Sequence, residues 1–355
     1  MSLPQNRPAD APLRTDLAGE FRALLGDKAV IAEPEGMAPY LTEWRYLYEG
    51  VTPFVVRPAD TDGVAAAVKL AARHGMPIVP QAGNTGLVGG QMPRESGEEL
   101  LISTDRLTNI EPVDAAGNTV LCGAGAILAD VQSAAEAANR LFPVSLASEG
   151  SARIGGLIAT NAGGTGVLAY GNMREQVLGL EVVLPDGRVW NGLRALRKDN
   201  TGYDLKHLFI GGEGTLGIIT RAVLRLRPRP VGRDVALVGV PDPAAALALL
   251  SRIQSRLGEA ITAFELLPKI GVEFVLRHGS GVRDPFQETP PWVVLIEAST
   301  FSPERPMREP LEEALASAYE DGAVLDALVA QSIGEAADFW RLRELLSEVQ
   351  AHEGA

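Results

Sequence analysis

The chain has 355 residues, 46% of them hydrophobic, a formal net charge of −13 and one cysteine. That is enough apolar material for a large core in two or three domains. It excludes an internal disulfide framework, argues against a nucleic-acid binder because no basic run is present, and leaves no apolar run of the ~18 residues that span a membrane. The lone cysteine, Cys122 in NTVLCGAGAIL, reads as a small buried strand residue. With a polar, Pro-rich N-terminus that has no apolar signal region, these features predict a soluble, cytoplasmic protein.

In chain order, residues 1–15 are expected to be disordered, with Pro4, Pro8 and Pro12 and few apolar anchors. LAGEFRALLG predicts a short amphipathic helix, TPFVVRPAD a strand, TDGVAAAVKLAARHG a helix stopped at Gly75, and MPIVP a second strand. The two strands are expected to be parallel. GNTVLCGAGAIL, LGLEVVLPDGRVW and LGIITRAVLRLRP predict strands of a second unit, with a hairpin at PDG and ILADVQSAAEAANR as a helix between strands. RPRPVG, residues 227–232, marks a boundary. Beyond it DVALVGV, ITAFELLP and PWVVLIEAST read as strands. DPAAALALLSRIQSRLG, SPERPMREPLEEALASAYEDG and AADFWRLRELLSEVQ read as helices. The pattern predicts an antiparallel sheet covered on one face.

Two stretches are dense in glycine. PQAGNTGLVGG, residues 80–90, carries no acid, base or thiol, and 148–179 contains the pairs Gly155-Gly156 and Gly163-Gly164. Glycine lets backbone approach a ligand closely, and successive N–H groups in such turns cradle anions. Asn84, Thr85, Ser148, Thr160 and Asn161 could add side-chain donors. Neither stretch has the spacing of a P-loop or of the nicotinamide dinucleotide fingerprint. The alternative is that both are simply tight turns. Pattern alone reaches a large phosphate-bearing cofactor held by two loops.

PQAGNTGLVGGQMP, ASEGSARIGGLIATNAGG, VLGLEVVLPDGRV and KDNTGYDLKHLFIGGEGTLGIIT, in that order and spacing, resemble the flavin-binding domain of the para-cresol methylhydroxylase and vanillyl-alcohol oxidase family. Within it they look most like the D-2-hydroxyglutarate and D-lactate dehydrogenase branch, strongly over residues 50–230 and more weakly over 230–355. The resemblance implies an α+β fold: a two-subdomain FAD-binding domain over 16–229 (about 16–110 and 111–229), then an incomplete substrate or cap domain of antiparallel sheet plus helices over 230–355. Gly83, Asn84, Thr85, Gly86 and Leu87 would wrap the FAD pyrophosphate, with Gly89 and Gly90 shaping the return. Ser148, Gly150, Ile154, Gly155 and Gly156 would line the pyrophosphate and ribityl side. Thr160, Asn161, Gly163 and Gly164 would approach the isoalloxazine, and Gly217, Ile218 and Ile219 would add backbone contacts. Ala82 stands where glycine is common in the family and Gly212 where serine is. His74 lies outside the cofactor loops, so FAD is expected to be non-covalent, with His74 a surface residue and His207 structural or cofactor-proximal.

On the C-terminal helix, Phe339, Leu342, Leu346 and Val349 form an apolar stripe, and Arg343 lies on the same face. A buried arginine needs an anion, either a protein carboxylate or a substrate carboxylate gripped by its planar fork. The pattern of Trp340, Arg343 and Glu344 resembles a substrate-carboxylate motif of the hydroxyacid branch, and Ser347 stands where relatives use threonine. The family's divalent metal, such as zinc, its His ligands and the catalytic base are expected beyond Ala355; this chain has neither a metal site nor an identified catalytic residue.

The expected activity is oxidation of a D-2-hydroxy acid, 2-hydroxyglutarate first, to the 2-oxo acid by hydride transfer to flavin N5. Electrons would go to a separate acceptor, an electron-transfer flavoprotein or a quinone. The alternatives are a non-catalytic FAD-binding fragment or subunit that needs a partner chain, and a glycolate or D-lactate dehydrogenase. A homodimer stays open.

Overall fold

The computed structural model describes residues 17–354, so the disorder expected of 1–15 lies outside the described residues. The first sheet has four short strands: β1 (Val30–Ile31), β2 (Val55–Val56), β3 (Ile78–Gln81) and β4 (Leu100–Ser103). Their order is β1-β2-β4-β3, and β2 and β3 both run parallel to β4. The two strands expected to be parallel are so, with β4 inserted between them. The helix Thr61–Arg73 that joins them is capped by Asp60, whose carboxylate accepts from Gly63 N at 2.7 Å. Such a cap contributes about 1 kcal/mol. Val64, Ala67, Val68 and Ala71 repeat at helical spacing, and all four are buried.

The second sheet is antiparallel. Its strands are β5 (Thr119–Gly123), β7 (Val177–Val183), β8 (Val189–Gly192) and β9 (Ile218–Arg225), in the order β5-β9-β7-β8. Two short strands, β6 (Arg140–Leu141) and β10 (Arg227–Pro228), pair separately. The PDG hairpin joins β7 to β8: Leu184 N donates to Arg188 O at 2.8 Å, and the Asp186 carboxylate accepts from Arg188 N at 2.9 Å. One continuous core runs through both sheets, from Phe21 to Leu226.

The third sheet holds β11 (Gly232–Val240), β12 (Ile261–Pro268), β13 (Trp292–Thr300) and β14 (Asp326–Val329), all antiparallel, in the order β12-β13-β11-β14. With helices Pro243–Leu257 and Arg308–Glu320 this is a β-α-β-β-α-β unit of split-βαβ type. The expectation of one covered face is corrected, because helices cover both. Ala236, Val238, Val294 and Ile296 face Leu249, Ile253, Leu311 and Leu315 on one side. Val235, Leu237, Val293 and Leu295 face Val272, Val275, Phe339 and Leu342 on the other. The unbroken apolar runs VALVGV and WVVLI carry that signal, since a strand buried on both sides does not alternate.

AADFWRLRELLSEVQ is not one helix. It breaks at Leu345 into Ile333–Glu344, Leu346–Val349 and a final 3-10 turn, Gln350–Glu353. The bend brings Leu346 against Gly271 of helix Lys269–His278 and buries Val349.

Cys122 is 1% exposed, and burial pushes its thiol up to about 12, with the Arg221 charge pulling weakly the other way. A thiolate is therefore inaccessible near neutral pH. The native protein should release no chromophore from a disulfide-exchange thiol reagent, and the denatured protein should release one equivalent. Rapid native labelling would contradict this burial.

Candidate functional site: three glycine loops and an arginine helix

The loop after β3 has to pass against the segment that opens helix Ile154–Ala159. A Cβ at Gly83 would lie 3.1 Å from Arg153 N and 3.2 Å from Ala152 Cα, and closer still to Ser151 O. Only glycine allows this backbone-to-backbone approach. A third loop, 211–217, closes the group. Gly214 packs on the Pro80 ring, while Gly211 N and Glu213 N donate to Ile158 O and Ala159 O at 3.1 and 2.9 Å. The stretches 80–90, 148–164 and 211–217 thus meet in one place.

Side chains hold this arrangement from behind. Asn84, at φ 52°, donates from Nδ2 to Thr42 O at 2.9 Å and to Pro39 O at 3.1 Å. Gln91 Nε2 donates to Gly86 O at 2.9 Å. Thr160 Oγ1 donates to Gly156 O at 2.9 Å, and Asn161 Oδ1 accepts from Arg174 N at 2.9 Å. Asn84, Thr160 and Asn161 therefore shape the loops with the polar atoms that the sequence suggested for a ligand. Ile154 is fully buried in the core, and Ile218 and Ile219 are nearly so, which leaves their backbone as the part a ligand could meet. Gly155 and Gly156 lie in the first turn of helix Ile154–Ala159, Gly163 and Gly164 follow it, and Gly217 precedes β9. Ser148 and Gly150 lie in the turn that Ser148 O closes by accepting from Ser151 N and Ala152 N, and a Cβ at Gly150 would meet nothing within 4 Å.

The open element is the backbone. Among the described residues, none accepts a hydrogen bond from the N–H groups of Gly83 through Val88. Consecutive unpaired N–H groups in a glycine turn are a nest for an anion.

Several supporting residues were missed from the sequence. Glu43 is 0% exposed and accepts from Arg45 N at 2.8 Å and Leu47 N at 2.6 Å. Burial opposes its charge, but the N–H groups of Arg45, Leu47 and Tyr48 prevail and hold the carboxyl below its ordinary range. This fixes a turn from which Arg45 donates through Nη2 to Leu87 O, bracing the tip of the glycine loop. Arg153 donates through Nη1 to Asp105 O at 3.1 Å and to Gly125 O. The one available signal was a carboxylate and an arginine inside an otherwise aromatic stretch, TEWRYLY.

His74 is exposed and meets Glu20 at 3.1 Å. His207 is tied to Arg174 Nη1 at 2.8 Å and to Asp204 at 3.2 Å, a bracing role at the third loop. Arg343, on helix Ile333–Glu344, is half-buried and donates through Nε to Glu265 Oε2 at 2.5 Å. A protein carboxylate thus takes one edge of the fork. Ser347 lies one turn on, past the break at Leu345. Next to Arg343 stands Glu344. Although solvent reaches much of it, burial and then the Glu149 charge push its carboxyl up, with Arg343 partly offsetting them. Glu149 itself is held between Ser148 and Gly150 by Gln132 Nε2 at 3.0 Å.

Residues 52–192 match the family described as FAD binding domain, and residues 229–355 match the C-terminal domain of FAD linked oxidases. The chain belongs to the FAD-linked oxidases. It is 36% identical over 354 residues to the mitochondrial D-2-hydroxyglutarate dehydrogenase of Arabidopsis thaliana, covering 100% of this chain and 63% of that protein. It is 37% identical over 350 residues to the mitochondrial Bos taurus enzyme of the same name, covering 99% and 63%. The chain therefore spans less than two thirds of the length of these curated relatives. The structure of p-cresol methylhydroxylase with substrate bound superposes with a TM-score of 0.74 at 17% identity, over 93% of this chain and 68% of that one, and shares its fold. The cytoplasmic expectation is corrected, because these relatives are named mitochondrial. One cysteine rules out a disulfide framework but does not choose between compartments.

The glycine loops of this FAD-linked oxidase suit the cofactor's pyrophosphate: the unpaired N–H groups from Gly83 to Val88 are anion donors, and the close approach at Gly83 leaves no side chain among them there. Among the described residues, no group of three or more His, Cys, Asp and Glu side chains could hold a metal ion.

Replacing Gly83 with Ala forces the loops apart. The expected result is a loss of about 1–3 kcal/mol of stability, read by denaturant titration, together with loss of most bound flavin. Gly150→Ala should retain flavin. Equal flavin content in both variants would contradict the close approach.

Proposed function

We propose that this FAD-linked oxidase carries out FAD-dependent oxidation of a D-2-hydroxy acid, with D-2-hydroxyglutarate the leading substrate, to the 2-oxo acid. Residues 16–229 would form the cofactor part and 230–355 the substrate part. The observation that carries the reading is the row of unpaired N–H groups from Gly83 to Val88, which suits the cofactor's pyrophosphate, with Arg343, held along one edge by Glu265, as the candidate for the substrate carboxylate. The names of the relatives with 36 and 37% identity supply the substrate class.

Bound FAD supplies the hydride acceptor for the substrate C–H bond. The chain's own residues position and bind. Glu265 takes Arg343 Nε and so sets the plane of the guanidinium, leaving Nη1 and Nη2 for a substrate carboxylate. Trp340 Nε1 donates to Glu297 Oε2 at 3.1 Å, which anchors the same helix to β13 one turn earlier. Ser347 would add a hydroxyl donor. Gly83–Leu87, Gly89, Gly90, Ser148, Gly150, Gly155 and Gly156 would surround the pyrophosphate and ribityl chain. Thr160, Asn161, Gly163, Gly164 and the backbone of Gly217, Ile218 and Ile219 would stand near the ring. Non-covalent attachment fits the two side chains best suited to a tether: His74 is turned to Glu20, and Cys122 is buried in the core. Electrons would leave to a separate acceptor, an electron-transfer flavoprotein or a quinone.

Anaerobic addition of D-2-hydroxyglutarate should bleach the visible flavin band at lower concentration than D-lactate or glycolate. Arg343→Met should raise the required concentration by about 10- to 100-fold with flavin content unchanged, the scale of charge-assisted hydrogen bonds to a carboxylate. A flavin-loaded protein that none of the three acids bleaches would favour the non-catalytic reading. An unchanged Arg343→Met would remove that residue from the substrate site.

A further inference from the structure

The sequence RAVLRLRPRP places arginines at 221, 225, 227 and 229, along β9 and the residues after it. Ala222, Leu224 and Leu226 enter the core, so the arginines leave by the opposite face. The outer two are matched to acids: Arg221 pairs with Glu111 and Arg229 with Glu136, each at 2.6 Å. The inner two differ. Among the described residues, neither Arg225 nor Arg227 has a carboxylate partner, and Arg227 Nε is buried with no hydrogen-bond acceptor. The Arg227 guanidinium lies 5.9 Å from the centroid of the Tyr170 ring.

A third guanidinium comes from the loop after β8. Gly179 is in register with Val223 on the arginine face of β9. A Cβ at Gly179 would lie 2.6 Å from Gly192 O and closer to Arg194 N, so this loop lies directly on that face. The exposed Arg197 follows three residues further along this loop. The charges interact: burial and then Arg197 lower Arg227, with Tyr170 pulling back, while burial, Arg227 and Arg197 lower Arg225. Three mutually repelling cations are thus left without an acid in a chain of net charge −13. Like charges gathered on a partly buried face are unfavourable unless an anion joins them.

We propose that Arg197, Arg225 and Arg227 form a binding site for a multiply charged oxyanion of the phosphate class, with the Tyr170 ring beside it. The guanidinium forks match the oxygen spacing of such an ion. The site uses none of the residues assigned above to the cofactor or to the substrate carboxylate, and it does not depend on the substrate assigned there.

The test uses the protein purified with its flavin, so that the pyrophosphate nest is filled. Inorganic phosphate at several times its dissociation constant should raise the unfolding midpoint by about 3 °C over sodium chloride of equal ionic strength. Arg197→Gln and Arg225→Gln should each abolish that shift. In chloride alone both variants should unfold at or above the wild-type midpoint, since each removes repulsion. A merely structural role for these arginines predicts a lower midpoint instead. Sedimentation with phosphatidic acid vesicles that the variants lose would assign the phosphate to a lipid headgroup, and its absence beside a phosphate shift would assign a free ion. Equal wild-type midpoints in phosphate and chloride, or a phosphate shift retained by both variants, would overturn the proposal.

Discussion

The close approach of Gly83 to the backbone of Ser151 and Arg153 is the constraint on which the rest depends. It locks the end of β3, in the parallel part of a mixed sheet, to the start of a helix packed on an antiparallel one. The Pro80–Gly214 contact then ties in the third loop. Backbone polar groups drawn this close have little room for side chains. They are left either paired with one another or open to a ligand. In the first loop the N–H groups are open, from Gly83 to Val88. A binding surface made of main-chain donors follows from packing alone, before any functional side chain is considered.

The second element is the arginine helix. Its Phe339 and Leu342 are buried under the third sheet, and this sets the face from which Arg343 leaves the helix. Glu265 on β12 then occupies Nε. Both partners remain partly solvated, so the pair adds little stability by itself. Its effect is geometric, since a guanidinium fixed along one edge loses less freedom on gripping a carboxylate with the other.

The glycine loops were legible in the sequence because their geometry admits only glycine at the contacts, and that demand is written in residue identity. The helix Thr61–Arg73 and the PDG hairpin were legible for similar reasons: a cap, a stop and a turn are local. What the sequence hid was the partner across the chain. Glu43 and Arg45 brace the loop tip through contacts that no local pattern encodes. Asn84 looked like a ligand donor, yet its amide is spent on Thr42 and Pro39, about forty positions earlier in the chain. The third sheet was misread as half-covered because unbroken apolar strands were weighed as if they should alternate. The acid that meets Arg343 could be expected as a type, but Glu265 could not be singled out without the register of β12 against its neighbours. The compartment was read from cysteine count, a property that does not encode it.

The central claim is that the three glycine loops hold one FAD through its pyrophosphate. The most direct measurement is to precipitate the purified protein with acid and identify the flavin in the supernatant by chromatography. The account predicts FAD, one per chain, released free and absent from the pellet. A chain purified without flavin that takes up none on incubation with FAD, or one carrying FMN, which has no pyrophosphate, would contradict it.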